Sequence, residues 1–565
     1  MNSIVVLVLG VIGMLCGYFF YSKFVASRIL GLDNTRTTPS HTMQDGVDYV
    51  PTNKFVLWGH HFTSVAGAAP IIGPAIAVIW GWVPAFIWVV FGTVFMAGVH
   101  DMSAVWASMR SKGQSIGTIA GNVMGGRVRT LMMVVIFLLL LMVNAVFGVA
   151  IANMMIKTPS SVLPVWGALA VAFIVGQCIY RFKMNLPMVS LIGVVALYAL
   201  IYFGPMFPIV LPETVLGLPD NAVWNIILFA YAGVASILPV WMLLQPRDYI
   251  NGLQLFVGLI LLYLSIFVAA PDVVAPAFNM NLPSGTPPIM PLLFVTIACG
   301  AISGFHGLVA TGTTSKQIDK EEDVRFVGYF GALGEGLLAL GAILAATAGF
   351  ASFADWQAVY QKFGDGSIGA FIDGGATILN HGVGIDMVLS QTMLTVMAAL
   401  FAGTTMDTGV RLQRYIFQEF GEIYRLPALQ NGAVATLLAV GTCLLLAFGA
   451  GGIDGSGGML IWPLFGTTNQ LMAALTLMII TVVLLRHGKN VWYTLAPLSF
   501  LLIMSVLALL MQLKTFYVDG NWLLVFLDIV ILVATIMVAL ESFSVLRREW
   551  HAHKNKEVNS SEANN

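Results

Sequence analysis

The chain has 565 residues, of which 58% are hydrophobic and only 9% are Asp, Glu, Lys or Arg, where a soluble domain carries about 25% charged residues. So few charges cannot cover the several soluble domains that such a length would form, and apolar blocks without heptads, G-X-Y repeats or polar low complexity exclude a coiled coil, a collagen and a disordered chain. A formal net charge of −1 with no basic stripe excludes a nucleic-acid partner, which leaves an all-α polytopic protein of the lipid bilayer.

A crossing helix needs roughly 20 predominantly apolar residues, and about fifteen such blocks follow one another along the chain. The first, 3–22, lacks a basic n-region and an A-x-A site, so it reads as a retained span instead of a signal peptide. Blocks 64–80 and 82–99 precede a mixed, amphipathic stretch at 100–129. Then come 130–152, 162–180, 186–205, 222–243, 251–270, 290–307 and 326–349. The connection 351–387, with several Gly and Asp, is long enough for a lid or a re-entrant piece. Blocks 388–403, 429–449, 463–485, 491–512 and 522–541 follow, and 550–565 is a polar tail expected to be disordered. Lys and Arg test this division, because cytoplasmic loops accumulate them. Alternate loops hold 23 on one side and 3 on the other, which puts the N-terminus outside and the C-terminal tail in the cytoplasm. The four cysteines, Cys16, Cys178, Cys299 and Cys443, have no metal-like spacing and read as packing residues.

Within these spans, Gly and Pro mark interruptions. Span two carries SVAGAAPIIGP at 64–74, and span seven carries YAGVASILP at 231–239. The two lie five spans apart and therefore cross in opposite directions, which suggests inverted repeats of the LeuT type: spans two to six (about 59–205) and seven to eleven (about 222–403), with 3–22 and 429–541 accessory. Unwound backbone there offers carbonyls to a cation and helix N-terminal amides to a small carboxylate. The amides are expected after Pro70 and Pro74 and after Pro239; Ala66, Gly67, Ala68, Ala69, Pro70, Gly233 and Ser236 are the substrate-binding candidates. Span nine, IACGAISGFHGLVATGTTSK at 297–316, adds Ser303 and His306, with further hydroxyls at Thr311, Thr313 and Thr314. The competing reading is that small residues only allow close helix packing.

Ionisable groups inside spans are expensive and point to function. Glu335, in GALGEGLLALGAI, has no basic residue at helical spacing and can carry a proton. His60 and His61 precede the first interruption, and a histidine there either relays protons or ties down unwound backbone. Asp101 with His100 reads as a surface pair ending span three. Arg247 and Asp248, in QPRDY, can pair with each other or with Asp101 as a cytoplasmic gate. Asp407 and Arg411 lie four apart and read as a helical ion pair with a coupling or gating role. Asn144, Asn469 and Gln470 read as interhelical hydrogen-bonding groups, and Asp528 as a structural or oligomer-contact residue.

Four long strings, DGVDYVPTNKFVLWGHHFTSVAGAAPIIGP at 45–74, LPVWMLLQPRDY at 238–249, TIACGAISGFHGLVATGTTSK at 296–316 and WPLFGTTNQLMA at 462–473, make the chain resemble the carbon starvation protein A (CstA) family of bacterial inner-membrane transporters. The resemblance covers most of the chain and implies uptake of pyruvate or small peptides, usually with proton coupling, and kinship with amino acid, polyamine and organocation transporters. The chain is shorter than long members of that family at its N-terminus and around 351–387, which leaves the solute undecided. The expectation is therefore a secondary transporter in the bacterial inner membrane, working by alternating access, without a cofactor. A proton is the favoured coupling ion, and sodium, held by carbonyls of Val65 and Ala66 with Ser303 and Thr311, is the alternative. No Walker A string or nucleophile-and-base cluster supports an ATPase or an enzyme. A homo-oligomer is left open.

Overall fold

The computed structural model describes residues 1–46, 48–239, 242–453 and 457–562. Among the described residues, thirteen continuous helices are long and apolar enough to cross a membrane. They are α1 (Ser3–Leu30), α4 (Trp82–Arg110), α6 (Gly126–Lys157), α7 (Pro159–Ile179), α8 (Leu186–Met206), α9 (Asp220–Ile237), α10 (Leu244–Ala269), α13 (Arg325–Ala348), α16 (Met387–Ile423), α17 (Gly432–Gly449), α18 (Gly457–Arg486), α19 (Trp492–Val518) and α20, whose crossing part is Trp522–His551. Two interrupted helices complete the set: α2 (Lys54–Ala66) with α3 (Ala69–Trp80), and α11 (Ile289–Thr296) with α12 (Gly304–Gly312). Counting α2 with α3 as one span gives up to fourteen candidate crossings, and α11 with α12 stands where the apolar blocks suggest a further one. Shorter helices α5 (Ile116–Met124), α14 (Phe353–Val359) and α15 (Ser367–Val383) lie between them.

Both interruptions have a local cause. Pro70 has no N–H to give to the carbonyl of Ala66, and Gly67 takes φ 56°, a conformation that disfavours any side chain. The helix axis turns by 47° there. In the second, Gly300 at φ 100° sits in an irregular stretch between Thr296 and Gly304. Small residues then let the two breaks touch: a Cβ on Gly73 would lie 2.3 Å from the carbonyl oxygen of Thr296, and one on Gly300 would lie 3.4 Å from Pro70 Cα.

The expected break at 231–239 is absent. Helix α9 is continuous through Ile237, and the chain leaves helical geometry only at Leu238, before α10. Small residues here serve packing: Gly233 lies against Val440 and Thr436 of α17, and the Ser236 hydroxyl donates to the Gly233 carbonyl at 3.0 Å. After Pro239, helix resumes at Leu244 as α10, and residues 240 and 241 lie outside the described residues.

Around the crossing, contacts recur in two sets. The helix α2/α3 packs on α10 as α11/α12 packs on α18, α10 packs on α16 as α18 packs on α6, and α9 contacts α6 and α16 as α17 does. Helices α7 and α8 form a hairpin outside this pattern, against α10. Helix α18 is wholly buried across its apolar window, so it is the axis of the bundle.

Two opposite faces can be told apart. One gathers the ends rich in Lys and Arg, where Arg110 and Arg36 meet Glu321, Thr52 N–H donates to the Gln317 carbonyl and Tyr49 donates to the Lys112 carbonyl. On the other, Asn2 bonds to Ala270 and α15 packs on α3. The connection 351–387 is thus a two-helix cap: Tyr360 donates to the Ala75 carbonyl at 2.7 Å, and Trp80 packs on Phe363. The mixed stretch 100–129 resolves into the end of α4 and the amphipathic helix α5. The polar end of the chain continues α20 as helix through Glu562 instead of being disordered, and 563–565 lie outside the described residues.

Candidate functional site

At the first break, Ala66, Gly67, Ala68, Ala69 and Pro70 are all buried, and Ala69 opens α3, where Pro70 has no N–H and the Ile71 and Ile72 amides donate to the Ala68 carbonyl at 3.1 and 3.0 Å. A Cβ on Gly67 would lie 2.8 Å from Phe147 of α6 and 2.8 Å from the Thr405 hydroxyl of α16, so these two side chains wall the break. Thr405 donates to the Ser64 carbonyl at 3.2 Å. The second break is tied to α18: the Asn469 side-chain oxygen accepts from the Phe305 amide at 2.9 Å, its nitrogen donates to Ser303 at 3.0 Å, and so Asn469 caps α12.

Beside the crossing lies a fully buried titratable cluster. His306 of α12 bonds through Nδ1 to Asp101 of α4 at 2.7 Å, and its Nε2 is 3.0 Å from a Glu335 oxygen of α13. That second contact is within ion-pair range but outside hydrogen-bond geometry, so neither Glu335 oxygen has a hydrogen-bond partner among the described residues. The other Asp101 oxygen meets His100 Nδ1 at 2.8 Å. All four side chains are at most 1% exposed. This revises two expectations. Glu335 has a basic neighbour, contributed by another helix and invisible in its own helical spacing; and Asp101 with His100 is a buried pair within α4, not a surface pair. His61 completes the surroundings, with Nδ1 2.8 Å from the Thr314 hydroxyl.

A second network lies on the basic side of the first break. Arg247 of α10 bonds Asp248 at 2.9 Å, is paired with Asp407 of α16, and donates to the Tyr231 hydroxyl of α9 at 2.7 Å. Tyr231 in turn donates to Asp407 at 2.7 Å. Asp248 also meets His60 Nδ1 at 2.8 Å and accepts from Ser64 at 3.3 Å. The expected Asp407–Arg411 pair does not form. Asp407 turns to Arg247, while Arg411 donates to the carbonyls of Ala235 and Leu238 at the end of α9. Arg247 pairs with Asp248 as one expectation held, and not with Asp101.

Other candidates stand apart. Gly233 and Ser236 belong to the α9–α17 contact. Thr311 donates to the Gly307 carbonyl at 2.7 Å and accepts from the Ile116 amide, and Ser303 is engaged by Asn469, so both hydroxyls of the suggested sodium site point to partners other than Val65 and Ala66. No group of three or more His, Cys, Asp or Glu arranged to hold a metal ion exists among the described residues. Asp528 is buried in α20, with no hydrogen-bond partner among the described residues. A cavity of about 870 Å³ opens at the basic face between α2, α7 and α10, lined by Asn53, Gln177, Arg181, Gln245 and Tyr249 among others. Asn469 bonds across helices as its sequence position suggested, whereas Tyr231, Phe147 and Thr405 had no role assigned from sequence and are placed by helix packing.

A family model described as "Carbon starvation protein CstA" matches residues 2–360 and 353–508. A peptide transporter CstA of Campylobacter jejuni is 32% identical over 92% of this chain and 81% of its own length. One from Bacillus subtilis is 30% identical over 89% of both. The pyruvate/proton symporter BtsT of Escherichia coli is 32% identical over 88% of this chain and 79% of its own. Among solved structures, a mutant manganese transporter of Eremococcus coleocola aligns with 90% of this chain and 99% of its own at 14% identity, with a TM-score of 0.46. With a family model matched over most of its length and relatives at 30% identity or more across nearly all of it, this multi-pass membrane protein belongs to the carbon starvation protein CstA family.

Proposed function

We propose that the chain is a proton-coupled secondary transporter that takes up pyruvate or small peptides across the bacterial inner membrane by alternating access, and is not an enzyme. The observation that carries this reading is the buried Asp101–His306–Glu335 cluster, set against the crossing of two interrupted helices. Intramembrane carboxyl and imidazole groups in contact are how transporters hold and pass protons, and half-helix amides suit a carboxylate solute. Asp101 anchors His306 through Nδ1, leaving Nε2 and Glu335 as the pair that exchanges a proton.

The doubled packing pattern supports a revised repeat division: α2/α3, α4, α6, α9 and α10 in one unit, and α11/α12, α13, α16, α17 and α18 in the other, with the remaining helices accessory. The basic face is taken as cytoplasmic and the N-terminus as external. The cap at α14 and α15 then closes the outer side, and the cavity near Gln245 is the inner vestibule. The relatives named as peptide transporters and as a pyruvate/proton symporter set the solute classes to try.

The test is uptake of labelled pyruvate and of di- and tripeptides into proteoliposomes, with pH and sodium gradients imposed separately. Uptake driven by an inward proton gradient is expected, and Glu335→Gln is expected to abolish accumulation while exchange of solute across the membrane persists. Accumulation driven by sodium at equal pH would replace the proton reading. Absence of uptake for both solute classes would remove the substrate assignment.

A further inference from the structure

The cluster around Glu335 is not the only buried group of charges. Asp248, Asp407 and Arg247 are at most 3% exposed, so two carboxylates share one guanidinium, and an uncompensated buried charge is strongly unfavourable. Asp248 accepts from Arg247 twice, from His60 and from Ser64, and one Asp407 oxygen accepts from Arg247 and Tyr231 while the other has no hydrogen-bond partner among the described residues. The group left to balance them is His60. Its Nδ1 is fixed to Asp248, its side chain is 2% exposed, and its Nε2 makes no hydrogen bond among the described residues.

The other charged or titratable groups on the helices packed against α2 are engaged elsewhere. His306 and Glu335 meet each other, Lys54 pairs with Asp323, Tyr249 accepts from Ser190, and Arg325 donates to Ser22 and to the Tyr18 carbonyl. Next on α2, His61 bonds Thr314. On α16, Arg414 lies over the Tyr415 ring, and Arg411, the cation nearest in sequence to Asp407, points to carbonyls at the end of α9.

Building on the proton-coupled reading, we infer that His60 is a second proton-holding group, which carries a proton on Nε2 while its Nδ1 is held by Asp248 and Arg247 bridges Asp248 and Asp407. The bridge ties α9, α10 and α16 to the first interrupted helix, and a proton on His60 offsets the carboxylate charge that one guanidinium leaves uncompensated there. The transport cycle then binds protons at two places, one beside each interrupted helix.

Solid-state NMR of the full chain in lipid vesicles, with ¹⁵N-labelled histidine and no solute or gradient, reads the protonation state directly. At pH 7 one imidazolium signal with both ring nitrogens protonated should disappear in His60→Gln, and the His60 signal should become that of a neutral ring in Asp248→Asn. Intrinsic tryptophan fluorescence and size-exclusion behaviour matching the parent protein establish that each variant is folded, and if His60→Gln fails that check the Asp248→Asn spectrum decides alone. A neutral His60 in the parent overturns the inference and leaves Arg411 as the balancing charge. Transport plays no part in this readout, so an imidazolium at His60 together with absent proton-driven uptake would sink the function reading and leave the proton site standing.

Discussion

Replacing Arg247 by Met keeps a side chain of similar length and removes the guanidinium that bridges Asp248 and Asp407. Removing one partner of a buried ion pair costs about 3–5 kcal/mol, because the other charge stays behind in low dielectric. Here two carboxylates are left, both fully buried, so the upper end applies: about 5 kcal/mol, more than three powers of ten in the folding equilibrium. Asp407→Leu alone leaves Arg247 with Asp248 and should cost about 3 kcal/mol. Combined, the two changes remove one abandoned carboxylate, and the double variant should be more stable than the sum of the singles by about 2–3 kcal/mol. Reversible unfolding in mixed micelles with increasing dodecyl sulfate measures all four corners of the cycle. Additivity within about 0.5 kcal/mol would show that Arg247 and Asp407 do not share a charge network.

Three further outcomes follow from the breaks and the cap. Gly67→Ala forces a side chain into φ 56° and places its Cβ 2.8 Å from Phe147, so it should destabilise by about 1–3 kcal/mol, read as a lower thermal midpoint in detergent, whereas Gly403→Ala, with open space around it, should not. Asn469→Leu strands the Phe305 amide and the Ser303 hydroxyl at a loss of about 1–3 kcal/mol, and Asn469→Asp, which keeps the acceptor for Phe305, should recover part of it; equal losses would remove the capping role. Tyr360→Phe deletes the bond to the Ala75 carbonyl and should weaken the cap by about 0.5–1.5 kcal/mol, seen as faster hydrogen exchange across 353–383 with the rest of the chain unchanged.

Membrane class and the positions of most apolar helices were legible in the sequence, because a bilayer imposes a length and a polarity on each span independently of its neighbours. The first interruption was legible for the same reason: Gly67, Pro70 and Pro74 act on backbone within a few residues. The same local signal misled at YAGVASILP, where Gly233 and Ser236 accommodate α17 instead of breaking α9, since a small residue looks alike whether it unwinds a helix or lets another approach. What only the tertiary structure decided is who meets whom. Glu335 seemed unaccompanied because its partner His306 comes from another helix, Asp407 passed over the nearby Arg411 for Arg247 on α10, and Asn469 came from α18 to cap α12. Such pairs are chosen by helix packing between residues from 29 to 164 positions apart in the chain, and in a low-dielectric interior they determine where a charge can reside.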